Sequence, residues 1–461
     1  MERMSALDAG FFFVEHENVP MHIGSVAIFQ GPAPAYADLT GLFAAKLPLV
    51  PRYRQVVRAM PLQVFRPVWA DDEHFELGYH LRHAAVPQPG GADQLRNLAA
   101  RVFAQRLDAA RPLWEVWLLE GLEGGRWAIL SKVHHCLVDG VGGNDLMTAI
   151  FDLDPGAEQP DPVGWEPEPG ASVLSLVAGG VRDALSWPRR QLGLPGFLGQ
   201  RLRTPAELLA FGRGLTSSAQ RLAVPSAASL NGPIGPHRRW AWATASLAEV
   251  KQIRRELGGT VNDVLLAAIT RGFRDLLAAR GELAAGLVVR SLVPVSVRGQ
   301  DDQGVIANRV SAVLANLPVG EDDPLRRLAL LRDQMDDLKR THQAVGAEFL
   351  TEMLGFAAPA LLALGSRAAF SMRQPLVQTV TTNVPGPRVP LFVLGRRLAE
   401  VYPYVPIGNS LRIGVAVISY LDQFSFGITA DYNSVPDVEI LAAGIGRGLA
   451  ELGGQKPDDR G

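Results

Sequence analysis

Apolar and polar positions change their period several times along this chain, and the changes mark its elements. Met21 to Phe29 alternates and then runs apolar, which predicts a strand. Gln94 to Leu107 instead sets Leu95, Leu98 and Val102 on one helical stripe. Glu115 to Leu119 and Trp127 to Val133 read as two strands separated by a turn at Gly124 and Gly125. An Asp- and Gly-rich turn follows, then a short helix over Asn144 to Phe151. The second half resumes the same texture. Ser246 to Leu257 and Val264 to Leu277 predict helices, the latter with apolar residues at 264, 265, 268, 269, 273 and 276. Val288 to Val297, Val310 to Leu314, Ile413 to Ile418 and Phe424 to Ala430 predict strands.

The region between the halves is different. Pro155, Pro160, Pro162, Pro167 and Pro169 break any periodicity. Residues 181–240 then hold nine arginines against two acids, Asp183 and Glu207, a local excess of seven positive charges. Leu, Val, Phe and Trp are interspersed among them. Surface helices with solvated arginines would have this composition, and so would an interfacial segment facing anionic lipid headgroups. The expected architecture is α/β (α+β): a domain over 1–180, an arginine-rich helical connector over 181–240, and a second domain over 241–461, with a cleft between the domains.

Composition narrows the partners. Of 461 residues, 47% are hydrophobic and 20% charged, enough to fill substantial cores. The net charge of −2 supplies no global field for nucleic acid, and no recognition motif compensates. Cys136 is the single cysteine, which excludes an intrachain disulfide and suits a reducing compartment. The first residues lack the basic head and cleavage site of a signal peptide. The most apolar stretch, Met353 to Gly365, is interrupted by Pro359 and falls short of the roughly 20 residues that span a bilayer. Any membrane attachment is expected to be peripheral, from the cytoplasmic side of the inner membrane or at lipid droplets.

The sharpest chemical signal is His134-His135-Cys136-Leu137-Val138-Asp139-Gly140, at the end of a predicted strand. A neutral imidazole can take a proton from an alcohol and return it to a leaving thiolate. Adjacent strand residues point to opposite faces, so only one histidine need meet a substrate. Asp139 could orient an imidazole or hold the loop, and Gly140 removes bulk at the turn. Two other readings stay open at this point. The histidines could make core hydrogen bonds while Asp-Gly supplies a turn. They could also bind a metal, although no further grouped ligands stand out.

Further segments make the motif more specific. They are Leu7-Asp8-Ala9, Pro20-Met21-His22-Ile23-Gly24, Pro112-Leu113-Trp114-Glu115, Asn262-Asp263-Val264-Leu265-Leu266-Ala267, Asn308-Arg309-Val310-Ser311 and Asn383-Val384-Pro385-Gly386-Pro387. In this order, they resemble the bacterial wax ester synthase/acyl-CoA:diacylglycerol acyltransferase family across nearly the whole chain. That family lies within the coenzyme-A-dependent acyltransferase superfamily.

The resemblance implies two chloramphenicol-acetyltransferase-like domains around a substrate channel. It implies O-acyl transfer from acyl-CoA to diacylglycerol or a long-chain alcohol, with no metal and no permanently bound cofactor. His135 would be the general base, with His134 and Asp139 shaping the site. Pro112, Leu113 and Trp114 are associated with acyl binding, and Gly140, Asn262 and Asp263 with the substrate cleft. Each of these also has a local explanation. Trp114 could simply pack, and Asn262 could cap the following helix. Asn308 and Arg309 could make a structural pairing, and Asn383 to Pro387 could form a turn. Ala307 stands where the family often has glycine, and Arg271 where glycine or alanine is common. Three competitors remain: a Cys136–His thioesterase, a non-catalytic lipid-binding protein, and an acyltransferase for another acceptor such as an amine. A cysteine directly after His135 would tend to face away from it, which disfavours the first.

Overall fold

The computed structural model describes residues 2–59, 66–137, 146–159, 164–168, 225–296, 310–340, 376–408 and 410–454. The strands among them are β1 (Glu2–Arg3), β2 (His22–Phe29), β3 (Gln55–Arg58), β4 (Val68–Asp71), β5 (Leu81–Ala85), β6 (Trp114–Leu122), β7 (Arg126–His134) and β8 (Arg238–Ser246). They continue with β9 (Val289–Ser296), β10 (Val310–Leu317), β11 (Thr379–Val384), β12 (Phe392–Val393), β13 (Arg396–Tyr404), β14 (Ile413–Tyr420) and β15 (Gln423–Asp431). Each strand and helix expected above outside the 181–240 connector corresponds to one of these strands or to one of the helices Ala92–Ala104, Leu146–Ile150, Leu247–Leu257 and Val261–Ala279, with ends differing by at most three residues.

The strands form two six-stranded sheets, ordered β12-β13-β2-β7-β6-β5 and β10-β9-β11-β14-β15-β8, and a small sheet β1-β4-β3. In the first large sheet, β7 lies between β2 and β6 and is antiparallel to both. Its alternation separates two cores. Trp127, Ile129 and Val133 enter the one shared with Leu39, Leu42 and Phe43 of the Tyr36–Lys46 helix. Ala128 and Leu130 enter the other, with Leu95, Ala99 and Phe103 of the Ala92–Ala104 helix.

The second large sheet shares one core with four helices, Leu247–Leu257, Val261–Ala279, Pro324–Arg340 and Val438–Gly453. The Val261–Ala279 and Val438–Gly453 helices approach closely because both present glycine at the crossing. A Cβ on Gly444 would sit 2.7 Å from the Gly272 Cα, inside any tolerable contact.

Chain order and sheet order part company at residues 392–404. β12 and β13 follow β11 in sequence, yet they extend the first sheet, where β13 pairs antiparallel with β2. β8, in turn, straddles the expected boundary between the connector ending at 240 and the second domain beginning at 241. β13 also touches β14 and β15 of the other sheet. At Gly427 of β15, a Cβ would collide with the Pro403 carbonyl oxygen, which also accepts the Trp240 indole N–H at 3.2 Å. Stacked or edge-on rings continue this seam through Phe103–Tyr404, Phe103–Trp240 and Trp242–Tyr402. Of the arginine-rich connector expected over 181–240, only 225–240 falls within the described residues. No described helix is long and apolar enough to cross a membrane.

Candidate active site

β7 ends at His134, and the turn that follows holds His135, Cys136 and Leu137. Two backbone bonds fix it. The His134 N–H donates to the Leu113 carbonyl at 2.9 Å, and the His135 N–H donates to the Met21 carbonyl at 2.8 Å. Segments 20–24, 112–114 and 134–135, far apart in sequence, therefore meet at one end of the first sheet. Asp139 and Gly140 lie outside the described residues, as do Ala307, Asn308 and Arg309.

The two histidines have opposite surroundings. His134 is fully buried on the face that also carries Lys132 and, across the ladder, His22. Its Nδ1 accepts the Cys136 backbone N–H at 3.1 Å. An acceptor nitrogen carries no proton, so neutral His134 is protonated on Nε2. That nitrogen stands 3.6 Å from a Glu15 carboxylate oxygen. His135 is half-buried and stacks on Phe11, with ring centroids 3.9 Å apart and planes 24° from parallel. Its Nδ1 is buried without a hydrogen-bond partner. Burial lowers its pKa to about 4, with His134 pulling the same way and its own backbone opposing. At neutral pH this imidazole is uncharged with a free lone pair.

Around the pair, Lys132 and one nitrogen of His22 find partners, while His22 Nδ1 and His134 Nε2 are buried without a hydrogen bond. Lys132 donates to the Val102 and Gln105 carbonyls at 3.2 and 2.7 Å and lies 3.6 Å from Glu115. His22 shares a 2.8 Å hydrogen bond with the Phe103 carbonyl and stacks on Tyr404. Cys136 packs in the core, and burial, then the Asp8 and Glu15 charges, push its thiol well above the ordinary range. A thiol held protonated in this way is a poor nucleophile. The sequence reading singled out neither Glu15 nor Lys132, because a lone charge beside an apolar run has no signature of its own.

The remaining expected site residues divide. Leu113 and Trp114 are fully enclosed, Pro112 is buried beside them, and the Trp114 indole donates to the Tyr53 carbonyl at 2.7 Å while stacking on His80. Trp117, three residues on, faces the opposite core. The cap of the Val261–Ala279 helix is Thr260, not Asn262. The Thr260 N–H and hydroxyl both donate to Asp263 Oδ2, at 2.7 and 2.8 Å, forming a capping box. Thr260 wins because it stands three residues before an acid that can reach back. Asn262, released from capping, accepts from the Asn383 amide at 3.4 Å, which unites two of the flagged segments. Arg271 pairs with Asp275 at 2.7 Å and with Glu451, tying the two crossing helices together. Among the described residues, no group of three or more His, Cys, Asp or Glu side chains could hold a metal ion.

Sequence profiles then decide the kinship. The wax ester synthase/diacylglycerol acyltransferase catalytic domain matches residues 4–265, and the C-terminal domain of the same family matches residues 306–453. The chain belongs to this family. Like its members, this wax ester synthase/diacylglycerol acyltransferase family protein is an acyl-CoA-dependent O-acyltransferase. A probable diacylglycerol O-acyltransferase of Mycobacterium tuberculosis is 36% identical over 469 residues, covering 98% of this chain and 96% of the relative. A putative diacylglycerol O-acyltransferase of the same organism is 32% identical over 458 residues, covering 98% and 91%. The solved wax ester synthase/diacylglycerol acyltransferase from Marinobacter aquaeolei VT8 superposes with a TM-score of 0.68 at 25% identity, covering 98% of each chain. A trichothecene 15-O-acetyltransferase from Fusarium sporotrichioides superposes at 0.61 with 14% identity over 98% of this chain and 94% of its own, a likeness of fold.

Proposed function

We propose that this family protein joins a long fatty acyl group from acyl-CoA to the hydroxyl of diacylglycerol or a long-chain alcohol, with His135 as general base. The observation that carries this reading is the state of that ring: neutral at working pH, pinned at the end of β7 and braced by Phe11.

The chemistry balances without a metal or a covalent enzyme intermediate. The His135 lone pair takes the hydroxyl proton as the alcohol oxygen bonds to the thioester carbonyl carbon. The carbonyl π electrons move to oxygen. When the tetrahedral intermediate collapses, the carbon–sulfur bond breaks and the imidazolium returns its proton to the thiolate. Ester and free coenzyme A leave. Holding both substrates in one channel supplies proximity, and a donor near the carbonyl oxygen, for which Asn262 is a candidate, would stabilise developing charge. His134 and Asp139 are assigned to shaping the site, and the 112–114 segment to supporting its acyl side. Within this reading, the two sheets are chloramphenicol-acetyltransferase-like lobes and the channel runs between them. Domain limits of 1–180 and 241–461 are kept as the working division, with β13 crossing over.

The test is product identification. Purified enzyme with palmitoyl-CoA and, separately, diacylglycerol, hexadecanol and an amine acceptor should release free thiol and yield triacylglycerol or wax ester. Amide formation alone, or thiol release without any acylated acceptor, would overturn the assignment.

A further inference from the structure

Phe11 and Glu15 stand four residues apart at the end of the Ala6–Val14 helix, so both project from one side of it. Phe11 lies on His135, and Glu15 faces His134. One short helix thus touches both histidines of the motif.

Glu15 is unusually placed for a carboxylate. Its side chain is only 4% exposed. Oε1 accepts the Met21 backbone N–H at 3.2 Å, while Oε2 lies 3.6 Å from His134 Nε2 and 3.5 Å from an Arg106 guanidinium nitrogen. Met21 is the residue whose carbonyl holds the His135 N–H. The carboxylate therefore meets the site twice: it holds the N–H of the residue that anchors His135, and it is the acid nearest to His134 Nε2, which has no hydrogen-bond partner. We propose that Glu15 is a positioning residue for acyl transfer, holding His134 as its Nε2–H tautomer and thereby fixing the turn that presents His135.

The link between ring and turn is direct. With the proton on Nε2, His134 Nδ1 is free to accept the Cys136 N–H, and that bond closes the turn immediately after the base. The opposite tautomer would set two N–H groups against each other there and leave Nε2 as an acceptor facing a carboxylate. Both contacts would become repulsive. The ionised form of Glu15 fits this arrangement. Burial alone would push the carboxyl up, but the His134 ring, the Met21 N–H and Arg106 outweigh it and hold its pKa below the ordinary value.

Glutamine in place of Glu15 has nearly the same shape but one acceptor oxygen. If that oxygen keeps the Met21 N–H, the amide NH2 meets the His134 Nε2–H, donor against donor. Glu15→Gln should lower kcat by roughly 10–100-fold, on the scale seen for outer-shell groups that orient metal-bound histidines, while KM for acyl-CoA changes less than about twofold. Nitrogen-15 histidine NMR supplies a readout that simple packing would not move. Wild-type His134 should carry its proton on Nε2, and E15Q should lose that signature while its circular dichroism stays native. This proposal rests on His135 as the base, and His135→Ala measured in parallel separates the two claims. A folded H135A that keeps its activity overturns the base assignment. Wild-type kcat in E15Q with H135A inactive, or wild-type His134 protonated on Nδ1, overturns the role of Glu15 alone.

Discussion

β7 and β15 are each nine residues long, and each buries every residue after its first. They fill that interior differently. β15 buries Phe424, Phe426, Ile428 and Ala430 with small or hydroxyl neighbours. Its one charge, Asp431, is its last residue and is occupied by the Gly235 and Ser434 N–H groups and the Ser434 hydroxyl. β7 buries Lys132 and His134 instead, and the turn beyond adds a desolvated His135. Burying titratable groups is costly unless each is matched. Equal burial with unequal chemistry separates two strands: β15 fills its interior by packing, whereas β7 runs into the titratable groups that the proposed mechanism uses.

Substitutions at the two strands should therefore damage different properties. The largest effect is expected at the end of β7. His135→Ala should reduce ester formation by about 10²–10⁴-fold, the usual worth of a positioned acid–base group, with an unchanged circular dichroism spectrum. Near-normal turnover by the folded variant would break the contrast at its centre. Phe426→Ala in β15 should do the converse. Denaturant titration should show a loss of about 3–5 kcal/mol from the cavity, while activity per folded molecule stays close to wild type. A variant that stays stable but loses turnover would mean that β15 also serves the chemistry.

A smaller, graded effect follows from pH. The folded pKa of His135, about 4, lies below the ordinary 6.5. Between those values the unfolded chain takes up a proton that the folded protein refuses, so this group's contribution to stability is lost as pH falls from about 6.5 towards 4. The proposed base stays neutral through most of the same window. The acid limb of kcat/KM attributable to His135 should fall near 4, and a His135 limb at 6.5 would show a ring open to solvent.

Much of this division was legible in the sequence, for reasons that differ by element. β2, β6 and β7 announce themselves through alternation and β-branched or aromatic residues. β13 does not. Arg396, Arg397, Glu400 and Pro403 make it read as loop, and only its place between β12 and β2 makes it a strand. The Val438–Gly453 helix is disguised by Gly444, Gly446, Gly448 and Gly453, yet Gly444 and Gly448 are what allow its close crossing. At the site, the histidine pair has a local signature, and the segments holding Met21 and Leu113 were recognised through resemblance. Glu15 has neither, because its partner is reached only through tertiary folding. The choice between a capping and a cleft role for Asn262 stayed open in the sequence, since the Thr260–Asp263 reciprocity that takes the cap depends on geometry.

The return of β13 to the first sheet bears on any attempt to divide the protein. A fragment ending before residue 392 would keep the motif, yet β2 would become a bare sheet edge, its ladder groups from Gly24 to Phe29 stripped of their partner. Such an edge is a template for pairing with other chains, and the fragment would be prone to aggregate. The late strand thus works as an internal chaperone, supplied by the same polypeptide only after most of it has been synthesised. Truncations, split reporters and lobe exchanges between relatives should carry residues 392–404 with the first sheet, or supply them in trans.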